Sequence, residues 1–218
     1  MPTMALRATY DRWAETYPPA AHNPLMRAEQ AAVSRRLDNI RAMRALDVGT
    51  GSGRYMPLLA RTGAHTVIGA DLSLGMLRRN HQGHRVCADA YRLPLPAQAF
   101  DLVNASLMAG DIRDLPRWLE ELARVLTPSG HLLYSDFHPE WDRRGWQRTF
   151  RDADDRVWTL PRASHHPHEH RDAMARAGLT LVASDDVTLP MTSRSLFLIR
   201  RRRDVPVATV FHARKAVR

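Results

Sequence analysis

The sequence has only one cysteine, only one lysine and no long apolar run in its 218 residues. A single thiol, Cys87, cannot form an intramolecular disulfide or a zinc site built from several cysteines, which favours a reducing compartment. No uninterrupted apolar run approaches the roughly 18 residues that a membrane-spanning helix needs. Residues 1–12 also lack the apolar centre of a signal peptide. We therefore expect a cytoplasmic protein without a membrane span.

The composition is that of an ordinary globular protein, with 44% hydrophobic and 25% charged residues. These proportions exclude global disorder, collagen-like repeats and a coiled coil. The length fits one core with additions and argues against two independent domains.

The charge is unusual, because the formal net charge is +9 and 31 of the 32 cationic residues are arginines. Either a coding bias replaces lysine by arginine, or the basic surface serves an anionic partner. Residues 139–218 contain 16 cationic and 10 acidic residues, and hence +6 of the total. The run Arg200–Arg203 is interpreted first as a solvated loop. The alternative is a docking site for an acidic carrier or a phosphate-bearing acceptor.

Short apolar runs alternate with amphipathic stretches, which predicts a parallel sheet covered by helices on both faces. Two further helices, separated by Pro18-Pro19, are predicted before the first strand. The predicted strands are residues 45–48, 66–70, 85–88, 100–105, 131–137, 179–187 and 205–212, and the predicted helices lie near residues 10–17, 25–41, 54–61, 73–80, 115–126 and 171–177. Residues 190–204 are ambiguous.

The strongest motif is an apolar strand that runs into Gly49-Thr-Gly51-Ser-Gly53 and then into a predicted helix. Glycine permits a positive φ and close approach of a ligand to the backbone, and the helix start offers free N–H groups. The dinucleotide fingerprint G-x-G-x-x-G does not fit, because its sixth position, counted from Gly49, is Arg54.

The spacing resembles the first motif of the class I S-adenosylmethionine-dependent methyltransferases, acidic-x-G-x-G-x-G. Later segments resemble successive motifs of the small-molecule branch that includes the ubiquinone/menaquinone and biotin-pathway methyltransferases. These segments are Ile68–Ser73, Val86–Ala90, Leu93–Pro96, Phe100–Val103 and Leu122–Leu133. The resemblance implies a Rossmann-like α/β fold, with a doubly wound seven-stranded sheet, an antiparallel last strand and an N-terminal helical cap.

The resemblance also divides the expected single domain, residues 1–218, into three parts. Residues 1–42 would form a helical lid, residues 43–138 the cofactor-binding core, and residues 139–218 the substrate-specificity insertion and closing strands. The implied cofactor is S-adenosyl-L-methionine, which reacts to S-adenosyl-L-homocysteine.

The implied cofactor contacts centre on three aspartates at the ends of the first three strands. Asp71 would accept the ribose hydroxyls, Asp89 the adenine amine, with the Ala90 N–H donating to the ring, and Asp47 would anchor the methionyl amino group. Each aspartate could instead be a helix cap or turn former. The full predicted set is Asp47, Gly49, Thr50, Gly51, Gly53, Asp71, Leu72, Asp89, Ala90, Asn104, Ala105 and Ser106.

Substrate contacts are expected beyond the ends of strands four and five, where open α/β sheets bind ligands. Asp136 and His138 are the polar candidates at the end of strand five. The aromatics Tyr10, Trp13 and Tyr17 would form a lid, and Trp141 and Trp146 would line a substrate pocket, although aromatics at helical spacing also serve core packing.

Four histidines lie within residues 165–170. His165 or His166, like His138, would serve as a catalytic base, because histidine has a suitable pKa for removing a proton at neutral pH. Two alternatives are exposed imidazoles at a helix start and a metal site using His166 and His170 at i, i+4. The latter lacks an assignable third ligand, so we predict no metal.

The predicted activity is transfer of a methyl group, by direct in-line displacement, to an oxygen of a small or carrier-bound metabolite. Nitrogen and carbon acceptors are disfavoured, and so is nucleic acid. Two alternatives stay open: an RNA-directed methyltransferase, and a cofactor-binding regulatory protein without transfer activity. The oligomeric state is not predicted.

Overall fold

The computed structural model describes residues 2–192 and 202–217, with side chains for residues 6–191 and 203–217. In these ranges the α-helices are α1 (Pro2–Ala14), α2 (Pro24–Leu37), α3 (Met56–Ala60), α4 (Leu74–Arg79), α5 (Leu115–Val125), α6 (Glu140–Arg143) and α7 (Pro167–Arg176). The strands are β1 (Arg44–Val48), β2 (Thr66–Asp71), β3 (His84–Cys87), β4 (Phe100–Ala105), β5 (Leu126–Phe137), β6 (Arg148–Arg151), β7 (Val157–Leu160), β8 (Leu179–Thr192) and β9 (Arg202–Lys215). A short 3₁₀ helix covers Ala109–Asp111.

Seven of the described strands form one sheet in the order β3-β2-β1-β4-β5-β9-β8. Strands β1 to β5 are parallel to one another, and β9 is antiparallel to both β5 and β8. The chain order reverses direction across the sheet between β1 and β4, which is where open α/β sheets bind ligands. The predicted doubly wound sheet with an antiparallel last strand is confirmed.

Helices cover both faces of this sheet because alternate residues of its strands point to opposite faces. On one face α5 and α7 contribute Trp118, Leu122 and Met174 to a core that also holds Leu46 of β1. On the other face α2 and α3 pack against a second cluster of buried residues that includes the neighbouring Ala45.

Two N-terminal helices are present, as predicted, and Asp11 anchors α1 to the start of α4. One carboxylate oxygen of Asp11 accepts hydrogen bonds from Ser73 Oγ at 2.6 Å and from the Gly75 N–H at 2.9 Å. These contacts hold α1 against the first turn of α4. The predicted part boundaries at residues 42 and 138 stay predictions.

The structure corrects two details of the predicted elements. Strand β5 begins at Leu126, five residues before the predicted start, because Leu126, predicted as the last residue of the preceding helix, pairs with Phe100 of β4. The β6–β7 hairpin was not predicted, although its Asp-rich turn and alternating flanks are a usual hairpin signal.

Residues 190–204, which the sequence left ambiguous, lie partly in strands, because β8 continues to Thr192 and β9 begins at Arg202. Arg200 and Arg201 of the arginine run lie outside the described residues, so its interpretation as a loop or docking site stays a prediction. Among residues 2–192 and 202–217, no helix combines the length and the apolar character that crossing a membrane requires.

The buried face of α5 is expected to dominate its contribution to stability. Leu122 is fully buried, so Leu122→Ala removes packing and leaves a cavity, at a cost of about 2–5 kcal/mol in the free energy of unfolding. Leu74→Ala is the control, because Leu74 is 40% exposed and should cost less than about 1 kcal/mol. Urea unfolding measures both; equal losses would contradict the assigned core.

Candidate active site

A cavity of about 340 Å³ lies at the carboxyl ends of the parallel strands, beneath α1 and the loop that follows it. It is lined by backbone and side chains from β1, β2, the loop after β3 and the loop after β4, and by one face of the β6–β7 hairpin. The predicted site residues that line it are Tyr10, Trp13, Tyr17, Gly49, Thr50, Gly51, Asp71, Leu72, Asp89, Ala90, Ser106 and Trp141.

The glycine loop forms the part of the wall next to β1. Gly51 has a φ of 53°, and a side chain added there would meet no atom of the described residues within 4 Å, so it would point into free space at the cavity wall. Gly53 has a φ of 85°, and its missing side chain makes room for Asn80 instead. The two glycines therefore have different roles. Gly51 leaves room for a ligand, and Gly53 allows close packing beneath the loop.

Asp71 connects this loop to β2. One of its carboxylate oxygens accepts the Gly51 N–H at 2.8 Å, and the other accepts the Ser73 N–H at 2.8 Å. Burial raises the pKa of Asp71 to about 6, although these two hydrogen bonds oppose the shift. Each oxygen retains a second acceptor position, so the carboxylate can still receive hydroxyl groups from a ligand.

Asp47 lies one layer below the wall and does not line the cavity. Its carboxylate accepts hydrogen bonds from Thr50 Oγ1 at 2.7 Å and from Asn104 Nδ2 at 2.8 Å. Burial raises the pKa of Asp47 to about 6, against the effect of those bonds. Asp47 is connected to the cavity wall through Thr50 and, by way of Asn104, through Ser106.

Asp89 and Ala90 form the wall at the end of β3. Asp89 Oδ1 accepts the Tyr91 N–H at 2.9 Å, which fixes the turn that follows. Ser52 Oγ, in the glycine loop, is a buried oxygen without a hydrogen-bond partner among the described residues. The wall thus offers carboxylates, backbone N–H groups and an unused hydroxyl, a set that suits a ligand rich in hydroxyl and amine groups.

A buried ionic cluster that the sequence did not reveal closes the cavity on the opposite side. Arg148 of β6 donates from Nη1 to Asp111 Oδ1 at 2.6 Å and from Nη2 to the Tyr10 hydroxyl at 2.6 Å. Tyr10 in turn donates to Asp111 Oδ2 at 2.6 Å. The cluster joins α1, the 3₁₀ helix and the hairpin, which lie far apart in the chain, so no local pattern could indicate it.

A second cluster unnoticed in the sequence fixes α2 to the sheet. Glu29 is fully buried and accepts hydrogen bonds from Tyr55 and, at 2.7 Å, from Ser135 Oγ. The guanidinium of Arg54 lies 3.8 Å from the same carboxylate. Burial raises the pKa of Glu29, whereas Arg54 and the hydrogen bonds lower it. Arg54 and Tyr55 also line the cavity, so this cluster sets the position of its inner wall.

The three predicted catalytic histidines have other contacts. His165 is buried with Nε2 at 2.7 Å from the carbonyl oxygen of Ile112, and His138 Nδ1 accepts the Glu140 N–H at 3.1 Å. The His166 N–H donates to Glu169 at the start of α7, as in the helix-start alternative. Within the described part of the chain, none of the three lines the cavity.

Several other predicted residues support the wall from behind. Asp136 is buried with its Oδ2 at 3.2 Å from Nε2 of His170, which removes His170 from any pairing with His166. The ring of Trp146 packs against Trp141 at 5.5 Å between centroids. In the described residues, the predicted positions that do not reach the cavity are Asp47, Gly53, Asn104, Ala105, Asp136 and Trp146, in addition to the histidines.

Comparison with known proteins finds a methyltransferase domain family whose model matches residues 46–134. A malonyl-[acyl-carrier protein] O-methyltransferase from Gallionella capsiferriformans is 31% identical over 204 residues, which cover 86% of this chain and 69% of that protein. A demethylmenaquinone methyltransferase from Corynebacterium urealyticum is 39% identical over 107 residues, 47% of this chain and 45% of that protein.

Three other curated relatives are longer than this chain, which spans between 32% and 64% of their length. The fold is similar to that of an S-adenosylmethionine-dependent methyltransferase from Mesorhizobium loti, with a TM-score of 0.65 and 24% identity. That similarity covers 86% of this chain and 98% of the solved one.

Proposed function

This chain is a member of the class I S-adenosylmethionine-dependent methyltransferases, and from that membership we propose that it transfers a methyl group to an oxygen of a small acceptor. The observation that carries this proposal is the convergence of Gly51, Asp71 and Asp89 on one cavity. Nitrogen and carbon acceptors are less favoured, because the relative that covers most of this chain is named an O-methyltransferase.

The described residues fit S-adenosylmethionine. The second acceptor positions of Asp71 would receive the ribose hydroxyls, and Asp89 with the Ala90 N–H would hold the adenine. The free space beside Gly51 would allow the cofactor to lie close to the backbone of the glycine loop. Thr50, which donates a hydrogen bond to Asp47, would face the polar end of the cofactor. When bound, the cofactor supplies an electrophilic methyl group on a sulfonium that leaves as a neutral thioether.

With so good a leaving group, the main task of this chain is to align the acceptor with the methyl group and to exclude water. Alignment of two bound reactants can account for a large part of an enzymatic rate enhancement. Trp13, Tyr17 and Trp141 line the cavity, and their rings would shield the reacting centre from water. The stacking of Trp13 on Phe150, at 5.0 Å between centroids, ties α1 to the hairpin.

We further propose that the acceptor is attached to a carrier protein. This proposal is supported by the carrier-bound substrate named for the Gallionella relative and by the excess of arginine in residues 139–218. A cytoplasmic location stays a prediction, which cell fractionation would test.

The space beside Gly51 should be required for cofactor binding. Gly51→Leu would fill it, and we expect the affinity for S-adenosylhomocysteine to fall at least about 30-fold in calorimetry, or about 2 kcal/mol. Gly145→Leu is the matched control, because Gly145 also has a positive φ, 64°, and open space for a side chain, but it does not line the cavity.

Both variants carry similar backbone strain, so thermal unfolding should show similar losses of stability. Only Gly51→Leu should lose the ligand. Unchanged affinity in Gly51→Leu would exclude the glycine loop as the cofactor site.

Cofactor affinity should depend on pH through Asp71, whose pKa is raised to about 6 by burial. Hydroxyl donors bind the ionised carboxylate better, so protonation competes with binding as the pH falls below about 6. We expect the dissociation constant of S-adenosylhomocysteine to rise by up to about tenfold in total between pH 7 and pH 5.

Asp71→Asn should bind weakly at pH 7 and should lose most of this pH dependence. Calorimetry at several pH values measures both effects. A variant with the same pH profile as the original chain would assign the titration to another group, such as Asp47.

The activity itself is tested by mass spectrometry of the purified protein for bound S-adenosylhomocysteine, followed by transfer of a labelled methyl group into a metabolite extract. Treatment of a parallel extract with nuclease controls for an RNA acceptor. We expect label in a nuclease-resistant product. Cofactor binding without any label transfer would contradict the proposed activity.

A further inference from the structure

Arg148 is a charged side chain in the wall of an otherwise largely apolar part of the cavity. Its side chain is only 9% exposed, and its guanidinium carbon lies 4.9 Å from the centre of the Phe137 ring. Ile112, Met108 and Leu160 line the same cavity. Burying a charge in such surroundings is costly unless the charge is paired and hydrogen-bonded.

The guanidinium remains charged at every physiological pH. Burial alone would lower the pKa of Arg148, but Asp111 and Tyr10 raise it above its ordinary value. A permanent cation is therefore fixed at one point of the wall, and neither a change of pH nor a proton transfer can remove it.

Asp111 and Tyr10 hold the guanidinium in place without using all of its donors. Their contacts are made by Nη1 and Nη2, and among the described residues Nε has no hydrogen-bond partner. Because guanidinium carries five N–H groups in one plane, an arginine oriented by one carboxylate can still bind a second one.

We propose that Arg148 binds the carboxylate of the acceptor, and that the acceptor is a carboxylic acid with an apolar body. This inference rests on the proposed methyltransferase function and names its substrate class. Phe137, Ile112 and Leu160 would contact the apolar body, while Arg148 fixes one carboxylate oxygen and leaves the other free to react.

The reaction balances without a catalytic base. A carboxylic acid has a pKa of about 4 and is already ionised at neutral pH. Its free oxygen attacks the sulfonium methyl carbon, the new C–O bond forms, and the electron pair of the broken S–C bond passes to sulfur. The products are a methyl ester and a neutral thioether, and no proton is transferred, in agreement with the position of His138, His165 and His166 outside the cavity wall.

The product differs from the acceptor in the group that Arg148 recognises. The ester is neutral and keeps only a weak acceptor for the guanidinium, so it should bind less tightly than the acid. Arg148 would thus select the acid and favour release of the ester.

The test compares octanoate with methyl octanoate as probes in calorimetry, with S-adenosylhomocysteine present at saturation. We expect the original chain to bind octanoate at least about tenfold more tightly than its methyl ester. Binding of S-adenosylhomocysteine alone is measured first, since its absence would refute the proposed function and not this inference.

The variant is Arg148→Gln combined with Asp111→Asn, because removing Arg148 alone would leave a buried, unpaired carboxylate that could prevent folding. The preference for octanoate should disappear in this variant, whereas its affinities for methyl octanoate and S-adenosylhomocysteine should stay within about threefold. Arg148→Lys should retain part of the preference, because it keeps the charge but loses the planar fork of donors.

Two matched controls separate recognition of the carboxylate from the contact between α1 and the β6–β7 hairpin. Asp111→Asn keeps the cation, and the Asn side-chain oxygen can still accept its N–H groups. This variant should bind octanoate at least as tightly as the original chain. Tyr10→Phe removes the contact between α1 and Arg148 and should keep the preference for the acid.

Two results would overturn the inference. One is the absence of any preference for octanoate in the original chain. The other is an equal loss of acid and ester binding in the double variant and in Tyr10→Phe, which would make the cluster a structural link between α1 and the hairpin.

Discussion

The hydrogen bonds that the Asp71 carboxylate accepts from Gly51 and Ser73 connect the parts of the candidate site to one another. One bond fixes the glycine loop at the end of β1, and the other fixes the chain as it enters α4. The Ser73 hydroxyl also donates to Asp11 of α1, so Ser73 links α1 to the Asp71 carboxylate. The position of the cavity wall beside β1 and β2 therefore depends on these two acids, Asp11 and Asp71.

Removing such groups from water is energetically unfavourable, and hydrogen bonds within the fold offset the cost. Glu29, Asp47 and Asp71 all have raised pKa values because they are removed from water, and each is held by two or more donors. Polar groups fixed in a water-poor cavity interact strongly with a ligand and need little reorganisation when it binds. The same groups make the empty site less stable than an apolar core of equal size, so the ligand is expected to stabilise the protein.

The sequence allowed the prediction of the sheet, the antiparallel last strand and the aspartate positions, for a simple reason. Asp71 is the last residue of β2 and Asp89 lies two residues after β3, and the ends of parallel strands meet at one edge of the sheet. The histidines were different, because a cluster near residue 165 does not say which way each imidazole points. His165 turns towards Ile112, and His166 lies at the exposed start of α7. Arg148 could not be distinguished from the thirty other arginines, since only its burial beside Asp111 and Tyr10 sets it apart.

By itself, the sequence determined the order of strands and helices, the glycine loop and the acidic residues at the strand ends, because these depend on local periodicity and on short spacings. Only the tertiary structure decided which side chains share the cavity. Tyr10, Asp111 and Arg148 come from a helix, a 3₁₀ turn and a hairpin separated by up to 138 residues. Their meeting is set by how these elements pack over the sheet, and packing of distant segments leaves no periodic trace in the chain.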